Sequence, residues 1–181
     1  MQPLEIIDFW YSDRMRKHWF SSTPELDREI EEKFEDVWER AAAGELDHWQ
    51  DTPEGALALV IVLDQFPLNM FRGDPRSFQT ERKAVEVSSA AIGKGFDNEL
   101  SRDRLGFLFM PLMHSENLED QDLSVEKFRQ HGLTDNLRFA EHHRGIISRF
   151  GRFPHRNAIL GRENTSAEDE YLASKEAFLG G

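Results

Sequence analysis

The chain contains no cysteine. That absence excludes a disulfide scaffold, an iron–sulfur site, a cysteine-ligated zinc and a thiol nucleophile. Long apolar runs are missing as well: the densest, 56–63 and 105–113, fall far short of the roughly 20 residues a membrane helix needs. The first residues lack a basic stretch followed by an apolar one, so no signal peptide, no membrane partner and a cytoplasmic location are expected. Positive charge is scarce, with 22 Lys and Arg against 34 Asp and Glu and a net charge of −12. That balance argues against nucleic acid as a partner. Gly93-Lys94-Gly95 lacks the spacing and hydroxyl residue of a phosphate loop, and no HExxH-type spacing supports a metal. No cofactor and no metal are therefore expected. Neither a convincing alternating strand nor a fixed-period repeat is present.

What is present is helical. A chain of 181 residues with 39% hydrophobic content, 14 Phe and 4 Trp has apolar material for a core, and one domain over 1–181 is expected. Leu4, Ile7 and Tyr11 recur at helical spacing behind Pro3, and Leu26, Ile30, Phe34, Val37 and Ala41 trace a second stripe ended by Gly44. The acidic face opposite, which includes Asp27, reads as solvated. Thr52-Pro53 opens an apolar helix that Phe66-Pro67 is expected to end, and Asp74-Pro75 starts another containing Ala84, Val85, Ser88, Ala91 and Ile92. Ser101 leads into the apolar run ending at Met113, where Pro111 should free a carbonyl near Phe107. Gly132 stops the next helix, one more reaches Phe150, and the capping box at Thr165–Glu168 launches a last helix with Tyr171, Leu172 and Phe178 on its apolar side. About seven to nine helices in an all-α fold are predicted. The four Trp and most Phe are expected to be packing residues, at least half buried.

Charge is distributed unevenly. Six Arg (138, 144, 149, 152, 156 and 162) share 25 residues with a single acid, Glu141, a local balance of +5 that leaves −17 for the other 156 residues. Such a segment suits either an anion site or a brace for buried acids. Arg138, His142, Gly145 and Arg149 fall on one helical stripe, while Phe139, His143, Ile146 and Phe150 fall on the next. His142 is thus the better functional histidine and His143 the better core one. Asp64 shares a face with Leu57, Val60 and Ile61 at an expected helix C-terminus, where a carboxylate opposes the dipole. A cationic partner is predicted for it among Arg72, Arg149, Arg152 and Arg156, in a cluster bordering a pocket. His114 and Glu116 leave an apolar helix and are a second polar concentration.

At these residues the chain resembles a bacterial domain-of-unknown-function family, number 924. The resemblance rests on Gly55–Leu59 running into Leu63–Gly73 (LDQFPLNMFRG), on Phe107–Glu116 (FLFMPLMHSE), on Arg149–Arg162 (RFGRFPHRNAILGR), on Asp8-Phe9-Trp10 with Trp19-Phe20, and on the Thr165 capping box. It departs at Leu68, where the family pattern more often carries Arg. The resemblance implies a TPR-like array of antiparallel helix pairs, and it brings no catalytic role with it. Its matching polar positions are Asp64, Gln65, Arg72, His114, Glu116, Arg149, Arg152, His155, Arg156, Asn157 and Arg162.

Three functions remain open at this stage. A small anionic molecule would be held by Asp64, Gln65, Arg72, Arg149, Arg152, Arg156, Asn157 and Arg162. His114 or His155 would then move a proton, oriented by Glu116 or Asp64, if the protein is an enzyme. An interaction module would grip a peptide carboxylate with the same groups. A brace would use them only to hold a curved helical fold together.

Overall fold

The computed structural model describes residues 1–175 and Ala177; Phe178, expected on the last apolar face, lies outside them. Helices dominate and no strand occurs among the described residues. Contacts cluster in two compact units, Met1–Pro111 and the chain from Leu112 onward.

The first unit holds α1 (Pro3–Trp10), α2 (Asp13–Arg16), α3 (Pro24–Ala42), α4 (Pro53–Val60), α5 (Phe66–Met70) and α6 (Glu81–Gly93). The helix α7 (Arg102–His114) contains the boundary between the units. Thr23 and Thr52 cap α3 and α4 with their hydroxyls, each followed by Pro at the first helical position. The predicted stripe of α3 is buried throughout. In α1 the inward residues are Ile6, Ile7 and Trp10, whereas Leu4 points outward and is 59% exposed. Gly55, in the sequence signature, allows a close approach: a Cβ there would lie 2.1 Å from the Trp49 carbonyl oxygen. Trp10, Trp38 and Trp49 are buried and Trp19 is partly so, while Phe20 and Phe139 face solvent.

Phe66-Pro67 does not end the helix that begins at Pro53. The run passes through a π turn, Ile61–Gln65, and continues as α5 to Met70. Pro67 cannot donate to Leu63, and the freed carbonyl is satisfied by the buried Thr80 hydroxyl at 2.6 Å, which also accepts from the Trp38 indole at 3.0 Å. Pro111 sets up a parallel case. The Ser88 hydroxyl donates to the Leu108 carbonyl at 2.6 Å, one residue beyond the expected Phe107. Asp74-Pro75 opens only a 3₁₀ turn, Pro75–Phe78, before α6. With the 53–70 run counted as one helix, the described residues hold nine.

The second unit holds α8 (Leu118–Gln130), α9 (Thr134–Phe150) and α10 (Ser166–Leu172). Gly132 (φ +65°) ends α8, and three residues separate it from α9. The two helices run antiparallel, with Arg129 reaching Glu141 at 3.0 Å and Arg144 pairing with Asp122. Gly151, in the left-handed region at φ +70°, ends α9 and turns the chain into an extended loop. A small core of Ile146, Ile147, Phe153 and Tyr171 forms between α9, that loop and α10.

Candidate functional site

Phe153 is the centre of the loop between α9 and α10. Its ring is fully buried, with the Arg156 guanidinium 4.7 Å above it and the rings of His143 and His155 at 5.4 and 5.5 Å. Its amide donates to Glu116 Oε1 at 2.8 Å, and its carbonyl accepts from Arg162 at 3.2 Å. Arg162 forks onto both oxygens of Glu116, at 2.7 and 2.8 Å, and turns its Nε to Asn157. Asn157 in turn donates to Asn164. Arg156, itself buried, donates to the His114 carbonyl oxygen at 2.8 Å.

The launch of α10 is tied down in the same manner. Arg152 forks onto Glu168 at 2.7 and 2.9 Å and also donates to the Glu163 carbonyl. Glu168 completes the predicted capping box with Thr165. The Arg152 hydrogen bonds hold the Glu168 carboxyl down at about 2. Burial acts against ionisation of Glu116, but Arg162, the Phe153 amide and the Arg156 charge outweigh it and keep that carboxyl below its ordinary range.

Desolvation pushes the His143 imidazole down to about 4, with the neighbouring His114, His142 and His155 adding to the effect. His155 is lowered to about 4 by desolvation and then by the charge of Arg156. His155 is exposed to solvent, so screening makes it the weaker contributor of the two. Both rings are neutral at neutral pH. Among the described residues no group of three or more His, Asp or Glu is arranged to hold a metal.

Beside the loop lies a shallow cleft of about 280 Å³. Arg149, His142 and Gly145, three members of the predicted stripe, line it, and Ile146, Phe150 and Tyr171 supply its apolar wall. Arg149 rests 4.6 Å over the Phe150 ring and has no ion pair among the described residues. The His142 Nε2 is buried without a hydrogen-bond partner there. A Cβ added at Gly145 would meet nothing within 4 Å.

The sequence-selected residues therefore divide. His114, Glu116, His155, Arg156, Asn157 and Arg162 come together around Phe153, and Arg152 sits one link away on Glu168. Arg149 faces the separate cleft. Asp64 and Gln65 are buried in the first unit, where Gln65 Nε2 donates to Asp64 at 2.6 Å and lies 3.2 Å from the Met110 sulfur. Asp64 is thus in the middle of a helical run, not at a C-terminus. Arg72 forks onto Asp27, which also accepts from Asn69 and Ser22. Asp27 is accordingly a member of the acidic face that is not simply solvated, its side chain being 15% exposed, and Glu29 and Glu35 on that face also pair, with Arg14 and Arg76. Sequence reasoning missed Asp27 and Glu168 as arginine partners and Glu141 and Tyr171 as cleft walls. Only the spacing of Glu168 and Tyr171, which puts them on one helix face, offered a signal.

A family model described as a bacterial protein of unknown function, DUF924, matches residues 6–176. The chain belongs to this family. The DUF924 assignment agrees with a solved structure of a protein of unknown function from Agrobacterium tumefaciens, which is 38% identical to this chain. The match covers 94% of this chain and 96% of that one, with a TM-score of 0.88. No curated protein matches. Among the described residues, no helix of this DUF924 member is long and apolar enough to cross a membrane.

Proposed function

We propose that this protein binds a small molecule bearing a carboxylate or phosphate, and that Arg149 in the α9 cleft is the group that takes the anion. The observation carrying this is the contrast among the arginines of the basic segment. Arg144, Arg152 and Arg162 are committed to acids, whereas Arg149 lines a cleft with no ion pair among the described residues. A guanidinium there offers a planar fork for a carboxylate or phosphate.

A second role fits Arg152 and Arg162, whose forked bonds to Glu168 and Glu116 favour a brace. The two roles support each other. Holding Glu168 fixes the face of α10 that carries Tyr171, which lines the cleft three residues further on.

Thermal-shift measurements with a panel of small carboxylates and phosphates test this, because a ligand that binds only the folded state raises the melting temperature. The parent protein and Arg138→Ala are expected to show the shift, since Arg138 lies on the same stripe outside the cleft. Arg149→Ala is expected to lose it. An equal shift in Arg149→Ala, or none in the parent, refutes the assignment.

A further inference from the structure

The cleft specifies more than a charge. At about 280 Å³ it lies just below the range for ligand pockets, roughly 300–1,000 Å³, which suits a small molecule better than a nucleotide or a folded partner. Its anchor is a single guanidinium, which matches one negative charge on the ligand; the other charged wall residue, Glu141, is already paired with Arg129. One face of the cleft is helix backbone left bare at Gly145. The opposing wall is a corner of two rings, Phe150 and Tyr171, with centroids 5.2 Å apart and planes tilted by 51°, and Ile146 is buried beside it. A bare glycine lets a flat body approach the helix closely, and an aromatic corner favours a ring over a branched aliphatic chain. From His142 to Arg149 the helix rises about 10 Å, a span that fits a two-ring aromatic acid lying along it. His142 lines the far end of that span.

We infer that the cleft is a site for a flat aromatic monocarboxylate, with the carboxylate on Arg149 and the ring system lying over Gly145 against Phe150 and Tyr171. Gly145 is then the residue that sets specificity, because any side chain there would occupy the ring's place. The inference rests on the small-anion reading and is narrower than it.

Titration calorimetry of the whole chain with naphthalene-2-carboxylate, acetate, phosphate, naphthalene-2-carboxamide and a tripeptide with a free C-terminus separates the two. The parent is expected to bind the naphthoate about tenfold or more tightly than acetate, phosphate, the neutral amide or the tripeptide. Gly145→Leu replaces an exposed helical glycine with a better helix former, so the variant is expected to fold as well as the parent. It should lose about tenfold for the naphthoate yet keep acetate binding, while Arg149→Gln loses both. Equal naphthoate and acetate affinities, or undiminished naphthoate binding by Gly145→Leu, would overturn the flat-ligand assignment and leave the anion site standing. Tightest binding of the tripeptide would overturn it in favour of a peptide terminus. If no anion binds the parent, both the assignment and the reading beneath it fall.

Discussion

The two proline sites in Met1–Pro111 and the loop between α9 and α10 in the second unit satisfy their polar groups by different means. In Met1–Pro111 the backbone carbonyls at Leu63 and Leu108 are capped by neutral hydroxyls, Thr80 and Ser88. In the chain from Leu112 onward, Glu116 and Glu168 are held by forked guanidinium groups, and a loop that holds just the short 3₁₀ turn Pro154–Arg156 is fixed by the bonds that radiate from them. A hydroxyl has only to fill a gap inside an apolar helix packing. A loop that carries its own polar groups needs charged, directional partners to have one conformation. The contrast teaches why arginines cluster late in the chain: three of the six, Arg152, Arg156 and Arg162, shape the loop, Arg144 pairs with Asp122, and Arg149 stands at the cleft.

Removal of the ring at the centre of the second unit should have the largest effect. Phe153→Ala leaves a void beneath Arg156, His143 and His155 and is expected to cost about 3–5 kcal/mol, measurable by denaturant unfolding. If its cost were small, the loop would be held by charge alone. In the first unit, Thr80→Val keeps the shape but strands both the Leu63 carbonyl and the Trp38 indole N–H. A loss of about 1–3 kcal/mol is expected, and an unchanged midpoint would show that these groups find other partners.

Acid should separate the units further. The lowered folded-state values of His143 and His155 mean that the unfolded chain takes up protons first. Stability therefore falls as pH drops through the ordinary histidine value of about 6.5 toward 4. Glu168 adds stability above its ordinary value, and that contribution is lost as pH falls from 4.5 toward about 2. Amide protection in Thr134–Phe150 should decline before that in Pro53–Val60, and simultaneous loss would contradict the contrast. His143→Phe should flatten the first phase. The smallest stability effect is expected for Arg149→Ala, within about 0.5 kcal/mol in a thermal melt, because its side chain forms no ion pair among the described residues. A larger cost would make Arg149 another brace.

Much of this was legible in the residues alone. The all-helical fold, the buried stripe of α3, the capping box at Thr165 and the common facing of His142, Gly145 and Arg149 all follow from spacing, because helical periodicity is local. The same local rules misjudged Phe66-Pro67. A proline's missing N–H ends a helix only when nothing else satisfies the stranded carbonyl, and Thr80, 17 positions from Leu63, does so. Which acid each arginine meets was also beyond the sequence: Asp27 lies 45 positions from Arg72, and Glu116 lies 46 from Arg162. Pairing over such distances depends on how elements pack, and composition supplies many equivalent acids. Sequence therefore determined which faces could meet a ligand, while the tertiary structure decided which charges were already neutralised and left Arg149 at the cleft.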